Sequence, residues 1–419
     1  MSSVTPTRQW FPVSDSSTSD ASDDGTERAE AADGGTPTVD GVHEIDWEAA
    51  DPSWSVPVGR LLLAAVAFLA LVAAWLDVQA TNVDPLLDRN PQPLVWPFRV
   101  AVVVVAVGFL PAFLRRRERA RRFLRRLRRD WTTALATAYL VAATLVAVVG
   151  PALVGLPDVT LAASTQPPVG AEVAYPTTTD DCLGAVRETP TGRVCPGTLQ
   201  YPLGTTELGY DVVTLVVDSL RTSLQVVVVT LALAIPLGTV VGSLAGVVGG
   251  RVDDVLSWYV DVQQTLPTFV VYLLAVFVFG EGLVLFVLVF GLLGWSSTAK
   301  LVRGAVVQRR EAAFVRAARV AGASRLAVLG RHVLPNVLGT VVAEATRRAP
   351  QLLLLEVGVT FVGLGDTARR VPSFGNVIDT GINQQWWVLV PPLAVLAGAV
   401  GSLLVVGDAL GDAADRRPG

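Results

Sequence analysis

The sequence predicts an all-α polytopic membrane protein, and three observations carry that prediction. Hydrophobic residues make up 51% of the 419 residues and charged ones 17%, with a mean hydropathy of +0.50. That balance belongs to chains whose solvent is largely lipid. Apolar runs recur that approach the roughly 20 residues needed to cross a bilayer core. Arginine is plentiful and clusters between those runs, whereas Lys300 is the only lysine.

Residues 1–52 are rich in Ser, Thr, Asp, Glu and Gly, with Arg8 and Arg28 as the basic residues. Such a segment buries too little apolar area to offset its ordering entropy, so an acidic, disordered cytoplasmic tail is expected. No basic start precedes an apolar run, which speaks against a cleaved signal peptide. Much of the net charge of −4 resides in this tail.

Residues 53–130 hold two expected spans, near 56–76 and 94–114, followed by an arginine-rich segment, 115–130, interspersed with Phe123, Leu124 and Leu127. Between apolar spans, the positive-inside rule makes this a cytoplasmic segment lying on anionic lipid rather than a nucleic-acid patch. Residues 131–210 comprise a first core helix, 131–153, and a long polar loop containing Cys182 and Cys195. The alternation of sides places the loop outside. There the two cysteines could pair or remain free thiols, and the residues leave both open.

Residues 211–410 carry further expected spans at 213–248, 266–279, 282–297, 337–359 and 387–406. The first is long enough to project beyond the bilayer, and a tight turn at 280–282 separates the second and third. Residues 411–419 form a short cytoplasmic C-terminus. About eight spans in a plasma membrane put both termini inside, together with the arginine-rich loop 300–331, as the charge rule independently requires.

The chain is organised around 314–336, FVRAARVAGASRLAVLGRHVLPN. Ala313, Ala317, Val320 and Ala321 recur at the spacing of an amphipathic helix. Gly322 supplies its stop, Ser324 caps a second short helix, and Pro335 ends that helix as the chain re-enters the membrane. A helix–turn–helix protruding from a membrane body suits docking to a partner.

These residues resemble the coupling loop of binding-protein-dependent ABC importer permeases: Glu-Ala-Ala, three residues, Gly, nine residues, a hydrophobic residue, then x-Leu-Pro. Ala317, Ala318, Gly322, Leu334 and Pro335 fall in register, with Ala323 after the glycine and His332 at the hydrophobic position. Arg316 replaces the family's Glu, while Glu311-Ala312-Ala313 is out of register. The peptide-importing branch is matched further. Pro202-Leu203-Gly204-Thr205, Gly209 and Asp211 are similar to its segment before the second helix. Arg221, Ser223 and Leu224 match the start of that helix, and residues 251–261 with Leu266-Pro267 match the next turn and helix entry. Glu356, Phe361 and Gly363-Leu364-Gly365, then 372–376 and Gly407-Asp408, match the remainder.

The resemblance covers residues 201–415 and is nearest to the second permease of dipeptide, oligopeptide and nickel importers. It implies a type I ABC importer transmembrane fold with a core of roughly six spans. The two N-terminal spans, the acidic tail and the cysteine-bearing loop are additions. It also implies partners: two ABC ATPase subunits, a second homologous permease, an extracellular solute-binding protein and membrane lipid, without nucleic acid. The implied mechanism is alternating access, in which Arg316, Ala317, Ala318, Gly322, Ala323, Leu334 and Pro335 couple the chain to an ATPase.

Catalytic and cofactor sites are not expected. Lys300 is followed by Leu301, not by the Ser or Thr of a phosphate-binding loop, so any ATP is used by partner subunits. His43 and His332 lie far apart and offer no paired zinc ligands. Gly238, Gly242 and Gly246 form a four-residue ladder suited to close helix packing, inside the chain or against a second permease. Glu344, Arg347, Arg348 and Glu356 are intramembrane charges, either lining the solute pathway or locked by partners, and Glu344 and Arg348 have the spacing of a pair. The expected function is import of di- or oligopeptides or a similar small solute. Nickel, glutathione, sugar oligomers and a non-transporting scaffold are the alternatives.

Overall fold

The computed structural model describes residues 94–103, 129–179, 181–310, 333–365 and 372–415, with Leu127 and scattered residues between 310 and 333. The expected tail and the expected span at 56–76 lie outside the described residues. Of the expected span at 94–114, residues 95–103 are helical. Leu94 and Ala101 are buried in the main apolar core, alongside Val226, Tyr272 and Phe286.

Helix α1, Trp131–Val154, starts where the Asp130 carboxylate accepts the Thr132 amide at 3.1 Å, filling one of the first turn's unpaired N–H groups. Helix α2, Val212–Val248, starts the same way on Asp211, which accepts from Val213 N at 2.9 Å. At 37 residues it packs against most of the other helices. Gly249 and Gly250, both at positive φ (68° and 57°), turn the chain sharply into α3, Gly250–Thr265. Leu266 and Pro267 interrupt the helix, and α4, Thr268–Phe279, leaves at 70° to α3. Proline at this break removes an amide the helix ladder needs.

Helices α5, Leu283–Leu293, and α6, Ser296–Arg310, together give a 28-residue apolar span. Helix α7, Leu334–Phe361, α8, Phe374–Asn383, and α9, Trp386–Asp415, complete the bundle. Among the described residues four helical segments are long and apolar enough to cross a membrane: α1, α2, α5–α6 and α9. The bent α3–α4 pair passes the same test only when its two helices are taken together as one broken segment. Pro335 sits in the first turn of α7, so it opens a helix where the sequence suggested it closed one. The first turn has amides without intrahelical acceptors, so proline's missing N–H costs nothing there.

The three glycines of α2 pack within the chain. A Cβ on Gly238, Gly242 or Gly246 would meet Trp295, Ala299 or Val306 of the α5–α6 segment. In the middle of the bundle, Tyr272 lies 5.8 Å edge-on to Phe286 and its hydroxyl donates to Leu364 O at 2.8 Å.

The loop between α1 and α2 is not irregular throughout. Strands β1, Glu172–Ala174, β2, Arg187–Thr189, and β3, Gly192–Pro196, form an antiparallel sheet in the order β1–β3–β2. Its strands are too short to imprint an alternating pattern on the sequence. Cys195, opposite Val173 in the register, is disulfide-bonded to Cys182. Buried Gln166 gathers the loop, donating to Thr179 Oγ1 at 2.9 Å and accepting from Leu183 N at 3.3 Å. Trp387 Nε1 donates to Thr205 O at 3.1 Å and ties the loop to the start of α9.

Candidate functional site

The excursion between α6 and α7 is rooted in apolar packing. Val315, Val328 and Val333 are buried in one cluster with Val302 and Val306 of α6 and Val337 and Val341 of α7. The opposite side is open: Arg316, Val320, Gly322 and Ser324 are exposed, Val320 at 89%. Gly322 has φ +83°, with open space where a Cβ would stand. That left-handed conformation is cheap for glycine alone, which accounts for the residue type at the turn. Ala317, Ala318 and Ala323 lie outside the described residues, and Leu334 and Pro335 form the start of α7.

Two ion pairs fasten α3 to the α6 stem that carries this excursion. Arg303 Nη2 donates to Asp253 Oδ2 at 2.8 Å, and Lys300 Nζ lies 2.7 Å from Asp261. Lys300 also donates to Gln264 Oε1 at 2.6 Å. The Arg303 guanidinium holds the Asp253 carboxyl below the usual carboxylate range. A cavity of about 230 Å³ lies between α2, α3 and α6, lined by Gly242, Val260, Lys300 and Arg303 among others. Sequence reasoning missed this clasp. Its signal was present in the acids of α3 and the two cations three residues apart on α6.

The charges of α7 are arranged differently from the expected pair. Glu344 is 3.5 Å from Arg347, not Arg348, and Arg348 Nη1 donates to Thr298 Oγ1 at 3.1 Å. An offset of three serves this helix face as well as four, and Arg348 instead reaches across to α6. Glu356 is fully buried; its Oε2 accepts from Ser223 Oγ at 2.8 Å, and its Oε1 has no partner among the described residues. Thr222 and Ser219 on α2 are also buried, with hydroxyls that have no hydrogen-bond partner among the described residues. Buried polar groups without partners are uncommon, which singles out these positions on α2 and α7. Among the described residues no three His, Cys, Asp or Glu side chains converge as metal ligands.

Apolar helices long enough to cross a membrane, with an excursion rooted in their packing and open on its other side, define a multi-pass membrane protein. Residues 238–419 match the family described as the binding-protein-dependent transport system inner membrane component. The dipeptide transport system permease protein DppC of Bacillus subtilis is 30% identical over 234 residues, covering 55% of this chain and 73% of the relative. For the oligopeptide transport system permease protein OppC of Haemophilus influenzae the values are 31% over 215 residues, 51% and 69%. For the nickel transport system permease protein NikC of Escherichia coli K12 they are 33% over 220 residues, 52% and 79%. The chain belongs to this family of ABC importer permeases, in the branch that contains the peptide and nickel permeases.

Proposed function

We propose that this chain forms half of the translocation pathway for di- or oligopeptides or a similar small solute, driven by ATPase subunits that dock on residues 300–336. The observation that carries the reading is the two-sided excursion. Val315 and Val328 are rooted between α6 and α7, while Arg316, Val320 and Gly322 face outward. An excursion that joins α6 to α7 is suited to act as a lever on a bistable bundle. In this reading the excursion and both termini are cytoplasmic, and the disulfide-bonded loop faces a solute-binding protein outside. The assembly contains two ATPases and a second, homologous permease.

The test is reconstitution. The purified single chain hydrolyses no ATP, whereas the assembly with the second permease and two ATPases hydrolyses it faster than the ATPases alone. Hydrolysis by the single chain would remove the proposal. A nickel reading stands beside the peptide one because the nickel permease of Escherichia coli K12 has 79% of its length matched. Uptake of labelled peptides and of nickel ions by the same proteoliposomes, with the cognate binding protein, separates the two.

A further inference from the structure

Helix α3 has three distinct faces. Asp253, Leu256, Ser257, Val260 and Gln263 recur at intervals of three and four and turn inward, with Val260 buried and Gln263 Nε2 donating to Leu293 O at 3.0 Å. Val252, Val255, Trp258, Val262 and Leu266 recur at the same spacing on a second face and are exposed, Val255 at 62% and Trp258 at 65%. Asp254, Asp261 and Thr265 occupy the third face and are exposed too.

The exposed apolar face is therefore not a remnant of the packed one. Its helix is also too polar to span, carrying Arg251, Asp253, Asp254, Asp261, Gln263 and Gln264. The 70° break at Leu266–Pro267 lays α3 across the direction of α4. Past that break Val270, Leu274 and Phe277 of α4 are exposed as well. Tyr259, stacked on Trp295 with centroids 6.0 Å apart, borders the same face. Trp and Tyr are the residues that favour the headgroup level, having apolar bodies and polar tips.

We propose that α3 is an in-plane interfacial helix, its Val252–Val255–Trp258–Val262–Leu266 face seated in lipid at the headgroup–acyl boundary. Amphipathic helices of this kind sit about 5–10 Å into that boundary. The exposed third face carries acids, so seating needs no anionic lipid. Through Asp253–Arg303 and Asp261–Lys300 the seated helix holds the α6 stem at a fixed depth. This inference goes beyond solute transport and does not depend on which solute is carried.

The test uses the full chain in phosphatidylcholine nanodiscs, alone and in the assembled importer. Val255→Cys, Val262→Cys and Asp254→Cys are spin-labelled one at a time; the native cysteines are already paired. Relaxation by oxygen exceeds relaxation by an aqueous nickel chelate at 255 and 262, and the order inverts at 254. The proposal is overturned if nickel dominates at 255 and 262, or if both reagents are excluded there in the assembly, which would mean a protein partner covers the face. As a second measurement, lipids brominated near the headgroup quench less of the tryptophan emission in Trp258→Phe than in the parent chain. Equal quenching also overturns it.

Discussion

Ser223 on α2 donates its hydroxyl to Glu356 on α7 across 2.8 Å, and Glu356 is completely buried. The bond links two long helices where both side chains are buried, so removing the acceptor strands a buried hydroxyl. Such an orphan costs about 1–3 kcal/mol. Glu356→Gln keeps an acceptor and the side-chain volume, whereas Glu356→Ala keeps neither. The expected order of apparent melting temperature in detergent is parent, then Gln close behind, then Ala clearly lowest. If Gln falls as far as Ala, the Ser223 bond is not what stabilises this contact.

Close approach of α2 and α6 sets the second prediction. A Cβ at Gly242 would overlap the Ala299 carbonyl, a backbone group that cannot step aside. Gly242→Ala is expected to destabilise by about 1–3 kcal/mol, the usual range for overpacking a close-packed site. Gly304, on α6 with open space around its Cβ position, is the control. Gly304→Ala gains up to about 1 kcal/mol of helix propensity. Thermal unfolding of both variants checks the pair, and equal effects would remove the packing argument.

Asp253 and Arg303 give a pH and salt prediction. The folded carboxyl of Asp253 titrates below its unfolded value because Arg303 donates to it. Its contribution is therefore complete above the ordinary Asp value of about 3.9 and is lost as pH falls through the lower, folded value. No change is expected near neutrality. Arg303 is 41% exposed, so screening limits the loss in Asp253→Asn to below about 1 kcal/mol, smaller still at high salt. Stability measured against pH and salt, parent beside variant, is the check.

The disulfide joins residues 13 apart and closes a loop that holds β2 and most of β3. A loop of this order restricts the unfolded chain by about 3 kcal/mol in the chain-entropy account. Cys182→Ser with Cys195→Ser is expected to speed proteolysis between β1 and β3 while leaving the helical bundle resistant. In the proposed topology both thiols, once reduced, react with an impermeant reagent added outside intact cells.

How much of this was legible in the sequence follows from what each element owes to local pattern. The helices α1, α2 and α7 begin and end within a few residues of their apolar runs, because length and hydropathy fix an apolar helix, whereas α9 starts where expected but runs past 406 to Asp415. The run ending at Phe279 was legible as apolar, but the continuous bent unit α3–α4 was not. Its polar half looks like a loop until Asp253 and Asp261 meet their cations on α6. The sheet was invisible because its strands hold three to five residues and are defined by Gln166 and the Cys182–Cys195 bridge. Long-range partners likewise decided the charges: Arg348 faces Thr298 of α6, a contact no local spacing encodes.

The last prediction concerns Gly322, where the outward side of the excursion turns. Its φ of +83° means any side chain there adopts a left-handed backbone, costing roughly 1–2 kcal/mol. Yet nothing in the chain lies near the position a Cβ would take, so Gly322→Leu meets no internal clash. The burial of Val315 and Val328 beneath it is untouched, and membrane insertion should survive. What a leucine changes is the outward surface, where the proposed ATPase groove approaches. The expected outcome is a correctly inserted, monodisperse protein that no longer retains its ATPases and no longer transports. Arg316, exposed on the same side, supplies the companion variant. Arg316→Glu reverses the charge offered to the partner and is expected to weaken assembly, provided that ATPase presents an acidic or neutral residue there. Pull-down with the cognate ATPases and uptake into proteoliposomes read both variants. Normal uptake by Gly322→Leu would mean that this excursion is not the coupling element.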